Sequence, residues 1–112
     1  MKQIAVLGST GSIGTSCLDV ISSRPERMSA IALTAHRNWE ALALQSRTFR
    51  PRWVVVGDAS LAERVDRGAF AQESELLFGP EGIETVARHA DVDVVISGIV
   101  GAAGLRGTWA AV

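Results

Sequence analysis

IAVLGSTGSIGTS, residues 4–16, places an apolar run directly before a loop in which glycine recurs at every third position, as Gly8, Gly11 and Gly14. A turn of this kind brings a helix N-terminus to the end of a buried strand. The free backbone N–H groups and the positive end of the helix dipole favour a phosphate there. The usual dinucleotide-binding fingerprint is G-x-G-x-x-G, so this loop has one extra residue between its first two glycines.

The glycines have three predicted roles. Gly8 allows a tight exit from the strand, Gly11 allows the backbone to approach a pyrophosphate, and Gly14 allows the helix to pack closely on the strand. Thr10 and Ser12 add hydroxyls that can bind phosphate oxygens or cap the helix. The alternative is a strand-to-helix turn that binds nothing, which three regularly spaced glycines disfavour. No Lys-Ser or Lys-Thr pair follows the loop, which argues against a P-loop nucleotidase.

Apolar runs and helical patterns alternate along the rest of the chain. The predicted strands are Gln3–Leu7, Ala30–Thr34, Trp53–Val56, Glu75–Phe78 and Val92–Ser97. Four helices are predicted between and after these strands. The first two present the faces Ile13, Cys17, Val20 and Ile21, and, after an N-cap at Asn38, Trp39, Leu42, Ala43 and Ser46. The third, from about Ser60 to Arg67, carries Leu61 and Val65, and the fourth, which begins at Pro80, carries Ile83, Val86, Ala87 and Ala90. This alternation predicts an α/β fold, a Rossmann-like, doubly wound and mostly parallel sheet with helices on both faces.

Composition narrows the class of protein. The 112 residues predict one domain, residues 1–112, and a net charge of −1 without a basic block argues against nucleic acid as a partner. No apolar run approaches the roughly 18 residues that span a bilayer, so no membrane partner is expected. A single cysteine, Cys17, and the absence of a charged leader favour the cytoplasm. Cys17, His36 and His89 stand apart from one another, so no metal site is expected on this chain.

The segment ALTAHRN, residues 32–38, indicates which dinucleotide the loop would hold. An NAD site places an acidic residue at the end of the second strand, where it binds the ribose hydroxyls. No carboxylate lies between Ala30 and Trp39, and Arg37 stands where a 2′-phosphate would lie. Asn38 can donate to the same phosphate while it caps the helix, and His36 can stack or bind nearby. A solvated charge at a helix start is the alternative for Arg37, but the missing acid favours NADP.

Two further features bear on the site. Asp91 and Asp93 are spaced as a pair for acid–base chemistry, yet they precede the fifth strand, whereas open α/β sheets bind ligands at the carboxyl ends of strands. A role at the strand entry is therefore favoured. The stretch SGIVGAAG, residues 97–104, follows the same strand and is a candidate second wall of the cofactor crevice, with Ile99 against the nicotinamide.

The chain resembles the 1-deoxy-D-xylulose 5-phosphate reductoisomerase family. The opening KQIAVLGSTGSIGTSCLDVI and the later blocks ALTAHRNW, FRPRWVVVGD and ISGIVGAAGL match that family in order over nearly the whole chain. The resemblance implies an NADPH-binding amino-terminal domain. Its cofactor contacts carry over to Thr10, Gly11, Ser12, Ile13, His36, Arg37 and Asn38. The family often has glycine where this chain has His36, so the contact at that position changes in character.

The resemblance also implies what the whole enzyme does. Family members isomerise the sugar phosphate and reduce the aldehyde intermediate with NADPH to 2-C-methyl-D-erythritol 4-phosphate, in the non-mevalonate route to isoprenoids. They use a divalent metal, Mg or Mn, and are generally homodimers. The family's metal-binding carboxylates, its Asn-Lys-Glu-Ser stretch, its substrate-phosphate ligands and its lid belong beyond Val112. No catalytic residue and no metal ligand is therefore expected among residues 1–112.

The apolar ending Trp109–Val112 has no capping glycine and suggests a helix cut short, with a natural short C-terminus as the alternative. We therefore expect a catalytically inactive piece of the enzyme. Two other readings stay open from the residues alone. One is a self-contained NADP-binding module that senses or regulates without turnover. The other is a different reductase with a G-x-x-G-x-x-G loop.

Overall fold

A computed structural model describes residues 1–97 as a five-stranded, wholly parallel sheet with helices on both faces. The strands are β1 (Lys2–Leu7), β2 (Met28–Ala35), β3 (Trp53–Val56), β4 (Glu75–Phe78) and β5 (Val94–Ser97), and the helices are α1 (Ser12–Ser23), α2 (Trp39–Phe49) and α3 (Gly79–Ala87). Strands β3 and β4 have the predicted bounds. The predicted fold class is confirmed.

The strand order, β4-β3-β2-β1-β5, locates the crevice of the sheet. Strands β1 to β4 are laid down in one direction, and the chain then returns past β1 to add β5 on its other side. Parallel α/β sheets bind ligands at the carboxyl ends of the strands on either side of such a reversal. That point lies between the ends of β1 and β5, where Leu7 pairs with Ser97.

Two apolar clusters fix the helices on opposite faces of the sheet. Alternate residues of the strands point to opposite faces, so Val6 packs with α1 and α2, and Leu7 packs with α3. Strand β3 is buried along its whole length, as expected for a strand covered on both sides. The last predicted helix and the wall at residues 98–104 lie outside the described residues.

The predicted helix from Ser60 to Arg67 is wrong. Two single turns of 3-10 helix, Ala59–Leu61 and Arg67–Ala69, occupy this region. Asp58 and Asp66 each accept a hydrogen bond from the backbone N–H two residues further on, and this local turn competes with a continuous helix.

The predicted apolar face of α1 is also wrong in part. Ile13 and Val20 are 55% and 52% exposed, while Gly14, Leu18 and Ile21 are the buried residues of this helix. Close packing of Gly14 on the end of β1 sets the rotation of the helix and turns the other two side chains outward. On α3 the predicted face is buried at Val86 and Ala87, but Ala90 lies beyond the helix and is exposed.

Candidate functional site

The turn between β1 and α1 has the backbone geometry that a phosphate site requires. Gly8 has a φ of 74°, in the left-handed region, which confirms its predicted role in the tight exit from the strand. Gly11 is the N-cap of α1, and the first intrahelical bond runs from the N–H of Thr15 to its carbonyl at 2.9 Å. The N–H groups of residues 12–14 precede that bond, so they point out of the helix N-terminus.

Gly11 and Gly14 differ in how much room the surrounding protein leaves for a side chain. A Cβ placed on Gly14 would lie 2.2 Å from the carbonyl oxygen of Gly8 and 2.6 Å from the Cα of Ser9, which confirms close packing as the reason for this glycine. A Cβ on Gly11 would have only an ordinary contact, 3.6 Å from the same carbonyl oxygen. Its φ of −79° also suits any residue. No contact within residues 1–97 therefore explains a glycine at position 11, whereas the close approach of a ligand would explain it.

The hydroxyls of the turn are free for a ligand. Thr10 and Ser12 make no side-chain hydrogen bond within residues 1–97, and the cap residue of α1 is Gly11, so the predicted capping role for these hydroxyls is wrong. Thr10 is half-buried and Ser12 is exposed. The other predicted role, binding phosphate oxygens, stays a prediction.

A buried polar cluster that the sequence reading missed anchors this turn to its neighbours. Thr34, at the end of β2, accepts a hydrogen bond from the N–H of Gly8 with its Oγ1 at 3.0 Å. Ser9 is fully buried, and its hydroxyl donates to Oε1 of Gln45 on α2 at 2.7 Å, while Nε2 of Gln45 donates back to the Ser9 carbonyl at 2.9 Å. The glycine turn is thus held in place by β2 and α2.

We expect Thr34→Val to destabilise the protein by about 1–2 kcal/mol, because the variant keeps the shape but leaves the Gly8 N–H without its partner. The free energy of unfolding in urea measures this cost. Thr48→Val is the matched control, since the exposed Thr48 bonds only the Leu44 carbonyl of its own helix at 3.4 Å. Equal effects of the two substitutions would contradict a role for Thr34 in anchoring the turn.

The second loop of the candidate site follows β2. His36, Arg37 and Asn38 are all exposed, at the same carboxyl edge of the sheet as the glycine turn. The carbonyl of Asn38's side chain accepts a hydrogen bond from the N–H of Ala41 at 3.3 Å, which confirms Asn38 as the N-cap of α2. Its side-chain amide group remains available as a donor.

Arg37 has an acidic partner that the sequence reading missed. Its Nη1 lies 2.5 Å from Oδ2 of Asp58, which follows β3 on the neighbouring side of β2. The second oxygen, Oδ1, accepts from the N–H and the hydroxyl of Ser60 at 3.0 and 2.6 Å. Those two bonds from Ser60 lower the pKa of Asp58 below its usual value, and the positive charge of Arg37 lowers it further, while partial desolvation of the carboxyl opposes the shift.

The signal for Asp58 in the sequence is an aspartate two residues before a serine, in the loop that follows a buried strand. That spacing predicts an Asx turn with the side chain held near the backbone. It does not predict Arg37 as the partner, because the contact depends on the pairing of β2 with β3.

Asp91, Asp93 and His89, the other titratable residues considered for a site, have structural partners. Asp93 joins β5 to β1: its Oδ2 accepts from the Gln3 N–H and its own N–H donates to the Gln3 carbonyl, both at 2.8 Å. Asp91 pairs with Arg52 at 2.6 Å. The predicted role of the two carboxylates at the strand entry is thereby confirmed. His89 packs against Trp53 in a tilted arrangement, with ring centroids 4.5 Å apart and ring planes at 52°.

Within residues 1–97, no group of three or more His, Cys, Asp or Glu side chains could hold a metal ion. No helix in that part of the chain is long and apolar enough to cross a membrane. Cys17 is half-buried and packs against the core cluster beneath α1.

The seven predicted cofactor residues fall after two neighbouring strands at one edge of the sheet, in two loops and in the first turn of α1. Thr10, Gly11, Ser12 and Ile13 follow β1, and His36, Arg37 and Asn38 follow β2. The bond from the Ser9 N–H to the Thr34 carbonyl at 2.8 Å joins the glycine turn to the end of β2, directly before the second loop. The candidate wall with Ile99 lies outside the described residues.

The parallel sheet with its order reversed at β1, together with a glycine turn at the end of β1, defines an α/β domain of the Rossmann-like, doubly wound class. The model of the 1-deoxy-D-xylulose 5-phosphate reductoisomerase family matches residues 4–112. The chain belongs to that family.

The chain is similar in sequence to the reductoisomerases of two bacteria. The 1-deoxy-D-xylulose 5-phosphate reductoisomerase of Ralstonia nicotianae is 51% identical over 114 residues, and that of Laribacter hongkongensis is 49% identical over 112 residues. Both alignments cover 100% of this chain and 29% of the relative. The chain thus spans less than a third of the length of these relatives.

Solved structures show the same fold. The reductoisomerase from Zymomonas mobilis in complex with NADPH superposes with a TM-score of 0.86 at 36% identity, over 98% of this chain and 29% of that one. A reductoisomerase in complex with NADPH, fosmidomycin and magnesium gives a TM-score of 0.83 at 35% identity, over 99% of this chain and 28% of that one.

Proposed function

We propose that residues 1–112 form the NADPH-binding domain of a 1-deoxy-D-xylulose 5-phosphate reductoisomerase. The observation that carries this proposal is the open space at Gly11, at the N-terminus of α1, beside a loop that presents Arg37. A dinucleotide site needs a phosphate-binding turn and a second loop that recognises the adenosine end, after adjacent strands, and these two loops fit those roles. The NADPH complex of a similar structure supports the same assignment.

The glycine turn binds the pyrophosphate in this proposal. The outward N–H groups of residues 12–14 and the helix dipole stabilise its negative charge, and the hydroxyls of Thr10 and Ser12 donate to its oxygens. Gly11 lets these groups come within hydrogen-bond distance. Ile13, exposed on the first turn of α1, packs against the cofactor.

The loop after β2 binds the 2′-phosphate. Arg37 donates to it from a guanidinium whose side chain is 62% exposed. The amide group of Asn38 donates to the same phosphate while its carbonyl caps α2. His36 lies beside them, and its imidazole covers the adenine or binds the phosphate. Preference for NADPH over NADH follows from these contacts, since NADH lacks the phosphate.

The activity belongs to the whole protein. NADPH supplies the hydride that reduces the aldehyde formed from the isomerised sugar phosphate, and the domain orients the nicotinamide toward it. In this proposal the divalent metal, Mg or Mn, and the sugar phosphate are held by parts of the protein beyond Val112, as the family resemblance implies; among residues 1–97 no group of three or more His, Cys, Asp or Glu could hold a metal ion. We propose that the whole enzyme is a cytoplasmic homodimer and that residues 1–112 alone have no turnover.

Arg37→Ala is expected to weaken NADPH binding about ten-fold and to leave NADH binding nearly unchanged, because one charged contact with the 2′-phosphate is lost. Calorimetric titration of both cofactors into the protein and the variant measures the ratio of affinities. Arg64→Ala removes the same charge from an exposed residue outside both loops and should leave the ratio unchanged. Equal affinities of the unmodified protein for NADPH and NADH would refute the proposal.

A further inference from the structure

Asp58 and Arg37 form a contact in which the two partners differ in exposure. The Asp58 side chain is only 18% exposed, while that of Arg37 is 62% exposed. Arg37 uses Nη1 for Asp58, and a guanidinium has five N–H donors, so most of its donors still face solvent. The carboxylate therefore holds one edge of the guanidinium and leaves the rest free.

The carboxylate is itself held on a rigid support. Ser60 donates twice to Oδ1, from its hydroxyl and its N–H, which leaves Oδ2 for Arg37. The backbone of the loop after β3 is bound to the loop after β2 by two hydrogen bonds, from the Gly57 N–H to the Ala35 carbonyl at 2.8 Å and from the Asp58 N–H to the His36 carbonyl at 2.9 Å. Asp58 thus has a fixed position relative to Arg37.

We propose that Asp58 is a positioning residue that determines cofactor specificity by holding Arg37 ready for the 2′-phosphate of NADP. This inference rests on the proposed function of Arg37 and adds a residue from a third strand to the site. A free arginine loses much side-chain freedom when it binds a phosphate, and an arginine already held by a carboxylate loses less. The ion pair with Asp58 therefore contributes to NADPH affinity without touching the cofactor.

Asp58→Asn tests this inference because it preserves the shape of the side chain and the hydrogen bond that holds the loop. The amide oxygen still accepts from the Ser60 N–H, and the amide N–H₂ then faces Arg37, a donor facing a donor. We expect the ratio of NADPH to NADH affinity to fall about three- to five-fold, the range of an exposed ion pair, with NADH affinity unchanged. Ser60→Ala, which loosens the carboxylate, should shift the ratio in the same direction by a smaller factor.

Asp66→Asn is the matched control. Asp66 also caps a single 3-10 turn by accepting from the N–H two residues on, at 3.0 Å, and it loses the same charge on substitution, but it has no contact with Arg37. Asp66→Asn should leave the affinity ratio unchanged. Thermal melting of both variants shows whether each is folded. Specificity is the ratio of the NADPH and NADH affinities of one protein, so a loss of folded protein alone does not change it.

The double variant Arg37→Ala/Asp58→Asn decides whether Asp58 acts through Arg37. If it does, Asp58→Asn causes no further fall of the ratio once Arg37 is absent. A full three- to five-fold fall in that background, or a rise of the ratio in Asp58→Asn alone, would overturn the inference; the rise would show that Asp58 competes with the phosphate for Arg37. Failure of the unmodified protein to prefer NADPH would overturn the proposed function as well. An affinity ratio that falls in Arg37→Ala but is unchanged in Asp58→Asn would overturn only the role of Asp58.

Discussion

Gly14→Ala is expected to cost at least about 3 kcal/mol of folding free energy, a large part of the roughly 5–15 kcal/mol that keeps a domain folded. The new Cβ would lie 2.2 Å from the Gly8 carbonyl oxygen, 2.6 Å from the Ser9 Cα and 2.9 Å from the Gly8 carbonyl carbon. All three are backbone atoms, so no side chain can rotate away. Relief requires α1 to move off the end of β1, which also separates the glycine turn from the bonds that anchor it.

The sign of this effect is informative because helix propensity predicts the reverse. Glycine inside a helix is less stable than alanine by roughly 0.5–1 kcal/mol, so Gly14→Ala would stabilise α1 if the helix were isolated. Urea unfolding of the variant shows whether the clash of the new Cβ outweighs the gain in helix propensity. Where no unfolding transition is seen, the yield of folded protein gives the answer. Gly68→Ala, whose Cβ would lie 3.3 Å from the flexible carboxylate of Asp66, is a control with a mild effect. An unchanged or increased stability of Gly14→Ala would contradict the close packing of α1 on β1.

The sequence predicted the parts of this fold that depend on local pattern. The run of β3, Trp53–Val56, is buried on both faces and was recognised by its unbroken apolar, β-branched composition. The cap at Asn38 was recognised because an amide before an apolar helical pattern satisfies a free backbone N–H. Both signals are contained within a few residues, so no knowledge of the sheet order is needed.

The parts that the sequence did not predict depend on contacts between distant residues. The buried face of α1 was predicted wrongly because a glycine carries no apolar side chain, yet Gly14 packs closely on Gly8 and Ser9, directly after β1. Ser9 and Asp58 looked like ordinary loop polar residues, and their roles come from Gln45 and Arg37, 36 and 21 residues away along the chain. Such pairs are set by strand order, which local patterns do not encode.

Gly11→Ala is expected to weaken the binding of NADPH and NADH alike by about 30- to 100-fold, the loss of a charge-assisted hydrogen bond worth about 2–3 kcal/mol. The proposal places the pyrophosphate against the backbone of this turn, so the methyl group would occupy the space that the phosphate oxygens need. The protein itself has room for that methyl group, with its nearest neighbour at 3.6 Å and a φ of −79° that alanine adopts freely. Stability should therefore change by less than about 1 kcal/mol, the cost of alanine at an N-cap.

The equal loss for both cofactors distinguishes this variant from Arg37→Ala. NADPH and NADH share the pyrophosphate and differ at the 2′-phosphate, so Gly11→Ala should change both affinities and keep their ratio, while Arg37→Ala should change the ratio. Calorimetric titration of the two cofactors into both variants gives the four affinities required, and thermal melting checks that each variant is folded. Wild-type affinities in folded Gly11→Ala would show that the turn is only a strand-to-helix connection. Because Gly14→Ala is expected to destabilise the fold and Gly11→Ala to weaken only cofactor binding, the two variants distinguish the packing role of this turn from its binding role.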